Sequence, residues 1–303
     1  MIKKICSLIL LAFFVKVACE EKVLILTHSY NRPDFIEWQD KTFKKFLQDD
    51  FEYVVFNDAR DPKMSEQIAK VCRDRAIPCI RIPQHIHSHD NASERHQDCI
   101  HYSFDTLAFK RNQLVVMVDS DIFLVRPFSI IKFMHDYDIA ALPQTRPNDV
   151  LYLWPGVVFM DMRTLPHKES MNWRGGFVNG SAVDTGGQMH HYLKNNPGLK
   201  VKFIEQISLP LPRNLLCDEC SKQNNFVCVH NSALLIANGN DAQAVYKLDE
   251  KAIRFLKQKN CSPIAFLLDN CFIHYYAASW WSSNDALRTK QLESYMKDLL
   301  DEN

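Results

Sequence analysis

Hydrophobic and polar positions follow a regular order in the first 120 residues of the chain. Short apolar runs rich in β-branched side chains, such as residues 23–29 (VLILTHS), are typical of strands buried on both faces. Pro33 opens an amphipathic helix that is expected to extend to about Leu47. The other elements expected in this half are a strand at 53–58, a helix at 64–76, a strand at 78–82, a helix from about Ala92 to Lys110 and a strand from Leu114. Strand alternating with helix predicts an α/β fold with a parallel sheet and right-handed crossovers.

The second half of the chain has a less regular pattern. Its expected elements are strands at 138–142 and 150–162, Gly-rich turns at 175–187, a helix at 183–195, strands at 200–207 and 226–237, and a helix at 241–258. No linker rich in Pro, Ser or Gly separates the two halves, which favours a single domain from residue 20 to residue 303. The expected architecture is a Rossmann-like, mixed but mainly parallel central sheet flanked by helices.

The N-terminus has the layout of a secretory signal peptide over residues 1–19. Lys3 and Lys4 precede an apolar stretch of about 11 residues, and Lys16 interrupts the stretch where a membrane anchor would continue. A short uncleaved anchor is the alternative, and no stable membrane span is expected. The predicted location is the lumen of the secretory pathway (ER or Golgi) or the exterior of the cell.

The charge balance and the cysteine count indicate which partners and which redox compartment to expect. With 36 basic and 36 acidic residues the formal charge is zero, so no footprint for nucleic acid is present. Beyond the signal peptide an even number of cysteines remains, which favours disulfides in an oxidising compartment. Zinc is the alternative for the cluster formed by Cys217, Cys220 and Cys228. The full set is Cys72, Cys79, Cys99, Cys217, Cys220, Cys228, Cys261 and Cys271.

Two aspartates one residue apart, Asp119 and Asp121, end the apolar run that begins at Leu114. At the carboxyl end of a parallel strand they would face the crevice where open α/β sheets bind ligands. Two like charges there need compensation, and Mg²⁺ or Mn²⁺ with diphosphate oxygens would provide it. A second Asp-x-Asp, at Asp136 and Asp138, lacks a preceding apolar strand and is taken as a chance match. The same edge of the sheet is expected to gather His28, Tyr30, Asn31 and Asp58.

The chain resembles the GT-A type glycosyltransferases, metal-dependent enzymes of nucleotide sugars in which an Asp-x-Asp motif ends the fourth strand. The opening THSYNRPDF is similar to their first loop, and FIHYYAASWW at 272–281 is similar to a C-terminal segment that supplies a histidine ligand. The resemblance implies a metal site at Asp119, Asp121 and His274, with Mn²⁺ or Mg²⁺ as the cofactor. The donor-binding residues that it implies are Thr27, Asn31, Arg32, Asp58, Ser120 and Trp280.

Three further segments contain candidate functional residues. Arg95 is a candidate clamp on the donor phosphates, and an exposed arginine on a solvated helix face is the alternative. Asp184 and Gln188 are candidate catalytic residues, expected four apart at a helix start so that both face one way. A helix cap is the alternative for Asp184. Trp154 and Gly156 resemble the acceptor-side stretch of the same enzymes.

The expected activity is therefore a metal-dependent glycosyltransferase of the hexosyltransferase type. It would move a sugar from a nucleotide-diphosphate donor, with a UDP-sugar favoured, to a glycan, protein or lipid acceptor. One alternative is a non-catalytic protein of the same fold that binds a nucleotide sugar or a glycan. Another is a phosphohydrolase of the haloacid dehalogenase type. A third competing signal is zinc bound by alternate histidines in an extended segment, at His85, His87 and His89, with His96 nearby.

Overall fold

The computed structural model describes residues 22–208, 266–269, 271–275, 293 and 296–301. Its helices are α1 Pro33–Phe46, α2 Pro62–Asp74, α3 Ala92–Thr106, α4 Ile130–Met134 and α5 Met189–Asn195. The strands are β1 Val23–Ser29, β2 Phe51–Asn57, β3 Cys79–Arg81, β4 Leu114–Val118, β5 Ile122–Leu124, β6 Ile139–Arg146, β7 Val150–Asp161, β8 Gly176–Val178, β9 Ser181–Val183, β10 Val201–Phe203, β11 Gln206–Ser208, β12 Phe266–Leu268 and β13 Phe272–His274. Expectations for residues 1–19, 226–237 and 241–258 and for Trp280 lie outside the described residues.

A seven-stranded sheet with the order β3-β2-β1-β4-β7-β6-β10 forms the centre of the molecule. The pairs β2–β3, β1–β2, β1–β4 and β6–β10 are parallel, whereas β4–β7 and β6–β7 are antiparallel. A four-stranded sheet, β11-β12-β13-β5, and the hairpin β8-β9 complete the strands. The predicted single-domain fold, a mixed and mainly parallel central sheet flanked by helices, is confirmed.

The central strands are buried on both faces, as their continuous apolar sequences predict. Every residue of β1 and of β4 is buried. Successive residues of a strand point to opposite faces, and accordingly Val23 and Ile25 belong to one hydrophobic cluster while Leu24 and Leu26 belong to another. Both clusters extend over several strands and helices, so the sheet separates two layers of one core.

The helix expected at 183–195 begins only at Met189, so this part of the prediction is wrong. Val183 ends strand β9, and the amide of Gly187 donates to the carbonyl of Asp184 at 2.9 Å in a turn. Gly186 in that turn has a φ of +88°, and a Cβ there would lie 2.2 Å from the Leu153 carbonyl oxygen. The positive φ and the close backbone approach stop the helix from starting earlier.

The expectations about membrane spans and disulfides can be compared with the described residues only. Within the described segments, no helix is long and apolar enough to cross a membrane. The described cysteines, Cys72, Cys79, Cys99 and Cys271, are free thiols. A disulfide framework therefore stays a prediction, as does the signal peptide.

Candidate functional site

A cleft of about 490 Å³ lies where the carboxyl ends of β1, β2 and β4 meet the start of α3. The parallel strands end at one edge of the sheet, so the loops that follow them meet there. All six side chains expected at this edge line the cleft: His28, Tyr30, Asn31, Asp58, Asp119 and Asp121. The other lining residues are Ser29, Asp90, Ala92, Ser93, Arg95, His96, Cys99, Ser120, Trp154 and His274.

The turn that carries the two aspartates is fixed from below by Gln39 of α1. The Gln39 side-chain amide donates to the carbonyls of Asp119 and Ile122, at 2.8 and 2.9 Å. Gln39 is completely buried, and its own oxygen accepts a hydrogen bond from the Tyr53 hydroxyl at 2.6 Å. The amide of Asp119 donates to the Gly156 carbonyl at 2.7 Å. The main chain of the turn is thus held on both sides, which leaves the two carboxylates to face the cleft.

His274 reaches this turn through the small second sheet. Strand β13 pairs with β5 so that His274 lies opposite Ile122, directly beside Asp121. His274 Nε2 lies 3.5 Å from Asp121 Oδ1, and both side chains are 8% exposed. The amide of Tyr275 also donates to the Asp121 carbonyl at 2.8 Å. The predicted juxtaposition of the aspartate pair with a distant histidine is therefore present.

Trp154 and Gly156 form the wall beside His274. The Trp154 and His274 ring centroids are 5.0 Å apart. A Cβ on Gly156 would lie 1.8 Å from Cη2 of Trp154, so the indole occupies the space that a side chain at 156 would need. The absence of a side chain at 156 thus makes room for the indole of Trp154, which lines the cleft.

His96, in the first turns of α3, is a cleft residue whose contact with Asp119 the sequence analysis missed. His96 Nε2 lies 3.1 Å from Asp119 Oδ1. Burial by itself would lower the pKa of His96, but Asp119, through charge and a hydrogen bond, together with Asp121 and Asp184, raises it overall. Helix α3 starts at the carboxyl edge of the sheet, so its first turns lie beside the crevice. This position in the helix is the signal that could have identified His96.

Arg95 and Asp58 form a buried pair at the other side of the cleft. Arg95 Nη2 donates to Asp58 Oδ2 at 2.9 Å and to Gln84 Oε1 at 3.0 Å. The guanidinium lies 5.4 Å from the centre of the Tyr30 ring. Arg95 is 8% exposed, so the alternative of a solvated helix face is wrong for it. The Asp58 carboxylate balances the charge of Arg95, and this carboxylate together with the Gln84 amide oxygen orients the guanidinium.

The three alternate histidines do not form a zinc site. Residues Gln84–Ile86 form a 3-10 turn in place of the extended segment that would put alternate side chains on one face. His85 and His89 are exposed. The side chain of His87 is 3% exposed and bridges two carboxylates, with Nε2 2.8 Å from Asp58 Oδ1 and Nδ1 3.2 Å from Asp98 Oδ2. His87 therefore belongs to the network around Asp58.

Two groups of side chains offer metal-ligating atoms in the cleft or next to it. Within the described part of the chain, Asp58, His87 and Cys99 have ligand atoms that all lie within 4.8 Å of one another. The Arg95 guanidinium already compensates Asp58, and burial together with the Asp58 charge raises the pKa of Cys99, which disfavours the thiolate that a metal needs. Asp121 with His274, next to Asp119, supplies the oxygen-rich alternative that suits Mg²⁺ or Mn²⁺.

Besides Gly156, four predicted site residues of the described chain lie outside the lining of the cleft. Thr27 is completely buried in β1, and its hydroxyl has no hydrogen-bond partner among the described residues. Arg32 precedes α1, pairs with Asp34 and stacks on a phenylalanine ring. Asp184 is exposed and accepts from the Thr185 amide at 2.7 Å. It is not the cap of α5, because the N-cap residue of that helix is Gln188. Gln188 contacts the carbonyls of residues 175 and 177. With α5 starting later than expected, the four-residue helical spacing of Asp184 and Gln188 does not apply.

No protein-family model and no curated protein matches the chain. Among solved structures, it is similar to the glycosyltransferase GlyE of Streptococcus pneumoniae TIGR4 in its apo form, with 12% identity and a TM-score of 0.41, over 93% of this chain and 62% of that one. It is also similar to the mannosyltransferase PcManGT from Pyrobaculum calidifontis in complex with GDP-Man and Mn²⁺, with 12% identity and a TM-score of 0.40, over 61% and 55%. The chain thus covers less than two thirds of either protein. Because both TM-scores are below 0.5, the activity is inferred below from the chain's own residues.

Proposed function

We propose that the chain is a metal-dependent glycosyltransferase of the GT-A type that transfers a sugar from a nucleotide-diphosphate donor, with a UDP-sugar favoured, to a glycan, protein or lipid acceptor. One observation carries the proposal. Asp119 and Asp121 leave the carboxyl end of the central buried strand β4 into a cleft, with His274 3.5 Å from Asp121. A cleft of about 490 Å³ is within the range of small-molecule sites.

The side chains around Asp121 fit a hard divalent cation. Asp121 and His274 would be direct ligands of Mn²⁺ or Mg²⁺, and Asp119 would reach the ribose or the metal through water. Two carboxylates that line one cleft are costly to desolvate unless a cation compensates them, which is the physical reason to expect one. The ion, when bound, supplies a Lewis acid that neutralises the leaving diphosphate. Gln39 holds the aspartate turn, so the carboxylates are oriented before any ligand binds.

The donor would lie along the loops after β1 and β2. Asn31, Ser120 and Asp58 line this part of the cleft, together with Tyr30. The hydroxyl of Ser29 is buried and lacks a hydrogen-bond partner among the described residues, and a buried polar group of that kind favours a ligand contact. Asp58 and Gln84 orient the Arg95 guanidinium, which would contact the phosphate oxygens of the donor. Trp280 stays a candidate donor contact that lies outside the described residues.

The acceptor would enter beside Trp154, whose indole forms one wall of the cleft. Asp184 is near enough to raise the pKa of His96 by its charge, and its carboxylate is exposed. Asp184 and Gln188 remain the proposed catalytic pair on that side. The proposed location is the secretory pathway or the exterior, since residues 1–19 have the composition of a signal peptide.

The experiment is a turnover assay of the full chain with Mn²⁺ and a panel of UDP- and GDP-sugars. Asp121→Asn should reduce release of the nucleotide diphosphate by about 100-fold or more, because it removes a ligand charge. Asp136→Asn is the matched control, since Asp136 belongs to the second Asp-x-Asp and its side chain is 78% exposed. Equal turnover in the two variants would contradict the metal role of Asp121.

A second candidate, a non-catalytic nucleotide-sugar binding protein, is favoured by the contact between His96 and Asp119. His96 Nε2 lies 3.1 Å from Asp119 Oδ1, and Asp119 raises the pKa of His96, so the imidazole, when protonated, would compensate one of the two carboxylates without a metal. Under this alternative, UDP would raise the melting temperature equally with Mn²⁺ and with a chelator, and no sugar would turn over. Under the proposed enzyme, the stabilisation by UDP would need Mn²⁺.

A further inference from the structure

One aromatic side chain of the hairpin β8-β9 is exposed to an unusual extent. Phe177 is 74% exposed, whereas the other exposed large hydrophobic residues of the described chain are 37–48% exposed. Its partner across the hairpin is Ala182, which is also exposed, so only a methyl group lies opposite the ring. Phenylalanine is among the residues most often buried, and the ring of Phe177 is instead available to a ligand.

The hairpin is fixed by its other face, so the position of the ring is defined. Val178 and Val183 are buried in a hydrophobic cluster with two residues of β7. Successive residues of a strand point to opposite faces, so Phe177 points away from this cluster. The packing of the two valines against β7 therefore holds the hairpin in place and presents the ring of Phe177 to solvent.

The turn after β9 places the base of this hairpin beside the cleft. The Gln97 side-chain amide, on α3, donates to Thr185 Oγ1 at 3.4 Å. A Cβ on Gly186 would lie 2.2 Å from the Leu153 carbonyl oxygen, next to Trp154 of the cleft wall. The turn thus lies between α3, which borders the cleft, and the wall that Trp154 forms.

Two polar side chains accompany Phe177 at this end of the hairpin. Asp184 directly follows β9 and is exposed. Its Oδ1 accepts from the Thr185 amide at 2.7 Å, and its Oδ2 forms no hydrogen bond with another described residue. Gln188 Nε2 donates to the Phe177 carbonyl at 3.3 Å, while its Oε1 has no partner within the described segments. A carboxylate oxygen and an amide oxygen therefore remain to accept hydrogen bonds from a ligand.

We propose that Phe177 binds the sugar ring of a glycan acceptor, with Asp184 and Gln188 accepting hydrogen bonds from its hydroxyl groups. This assignment rests on the proposed glycosyltransferase function and names the acceptor class. A pyranose has an apolar face of C–H groups and a rim of hydroxyls. The C–H face packs on an aromatic ring, and the hydroxyls donate to carboxylate and amide oxygens. An aromatic ring with a few polar groups beside it is the usual composition of a small-molecule site.

The surroundings of the ring favour a sugar over a lipid. The other exposed residues from 176 to 184 are two glycines, Asn179, Ala182 and Asp184. Within this hairpin, no apolar surface continues from Phe177, although a lipid chain or an amphipathic membrane contact needs such a surface. The negative charge of Asp184 would also be repelled by anionic lipids.

Saturation-transfer NMR of the full chain with UDP and Mn²⁺ tests the proposal. The probes are the methyl glycosides of glucose, galactose and mannose and of their N-acetylated 2-amino derivatives. In the wild type, at least one glycoside should receive saturation on its ring C–H protons. Phe177→Ala should weaken the binding of that glycoside by about 10-fold, because the stacking surface is lost, and Phe177→Trp should retain it.

A second exposed phenylalanine provides the matched control. Phe203 is 48% exposed and lies on β10, so Phe203→Ala should bind the same glycoside as the wild type does. Equal binding by Phe177→Ala and Phe203→Ala would overturn the proposal, as would the absence of saturation with every glycoside. Phosphatidylcholine vesicles that bind the wild type but not Phe177→Ala, without saturation of a glycoside, would identify a lipid ligand and would also overturn it.

A turnover assay separates this inference from the proposed function. With the bound glycoside as acceptor, Phe177→Ala should lower the ratio of transfer to glycoside over transfer to water by about 10-fold, through a higher KM for the glycoside. An unchanged ratio, with nucleotide diphosphate still released, would refute the acceptor role and leave the transferase function intact. No release from any donor would contradict the transferase function, and the NMR experiment would still decide whether Phe177 binds a sugar.

Discussion

Replacing Gly156 by alanine should disturb the cleft through Trp154. The new Cβ would lie 1.8 Å from Cη2 and 2.2 Å from Cζ2 of that indole. Carbon atoms in contact are about 3.5–4.0 Å apart, so the ring has to move by about 2 Å. The Trp154 ring packs 5.0 Å from the His274 ring. We therefore expect Gly156→Ala to displace the wall that holds the candidate histidine ligand.

The cost follows from the density of the packing. Inserting a methyl group into a filled space costs about 1–3 kcal/mol. In a domain of this size, each kcal/mol lowers the melting temperature by about 2–4 °C, so we expect a fall of about 5 °C. If His274 moves with the indole, the added stabilisation by Mn²⁺ and UDP should also shrink.

Thermal melts with and without Mn²⁺ and UDP measure both effects. Gly198→Ala is the matched control, because its Cβ would meet nothing within 4 Å and the residue is exposed. That variant should melt within about 1 °C of wild type. If Gly156→Ala and Gly198→Ala melt alike and respond alike to the ligands, the indole does not depend on Gly156 and the reasoning is refuted.

Three other substitutions test the same site. Gln39→Leu should cost about 1–3 kcal/mol in chemical denaturation, because two buried carbonyls of the aspartate turn lose their donor; an unchanged midpoint would contradict this role. His96 has a raised folded pKa, so its pair with Asp119 stabilises fully below the unfolded pKa of about 6.5 and is lost as the pH rises through the folded value. The stability lost in His96→Gln, measured with a chelator, should thus be about 1 kcal/mol at pH 6 and smaller at pH 9; a loss independent of pH would show that charge is not involved. Gly186→Ala should cost more than about 1 kcal/mol, since its φ is +88° and its Cβ would lie 2.2 Å from the Leu153 carbonyl, and a denaturation midpoint equal to wild type would refute that.

Sequence patterns predicted the first half of the fold well because its strands are buried on both faces. The run 23–29 and the helix that starts at Pro33 have the bounds expected, apart from a residue at the helix end. The position of Asp119 and Asp121 follows from the same logic, since the end of an apolar strand marks the edge of the sheet. The local sequence was therefore sufficient to predict the elements whose apolar side chains are buried in the core.

The remaining features depend on contacts that are distant in sequence. Gly186 is held by the backbone at Leu153, which no pattern near 186 indicates, so the helix start was placed too early. His87 follows a 3-10 turn and contacts Asp58, whereas His96 lies in helix α3 and contacts Asp119. The two histidines differ in their partners because these elements orient them differently. Side-chain partners across the sheet edge cannot be read from spacing alone.

The pairing of β5 with β13 determines when His274 can join the two aspartates during translation of the chain. All seven strands of the central sheet, β1 to β4, β6, β7 and β10, precede residue 204 in the chain. A growing chain can therefore complete that sheet, with both aspartates in place, before His274 has been translated. The imidazole joins the cleft only when β13 docks on β5. A nascent chain that has not reached residue 274 would present the carboxylates without it, so the candidate metal site cannot be complete before β13 has been translated.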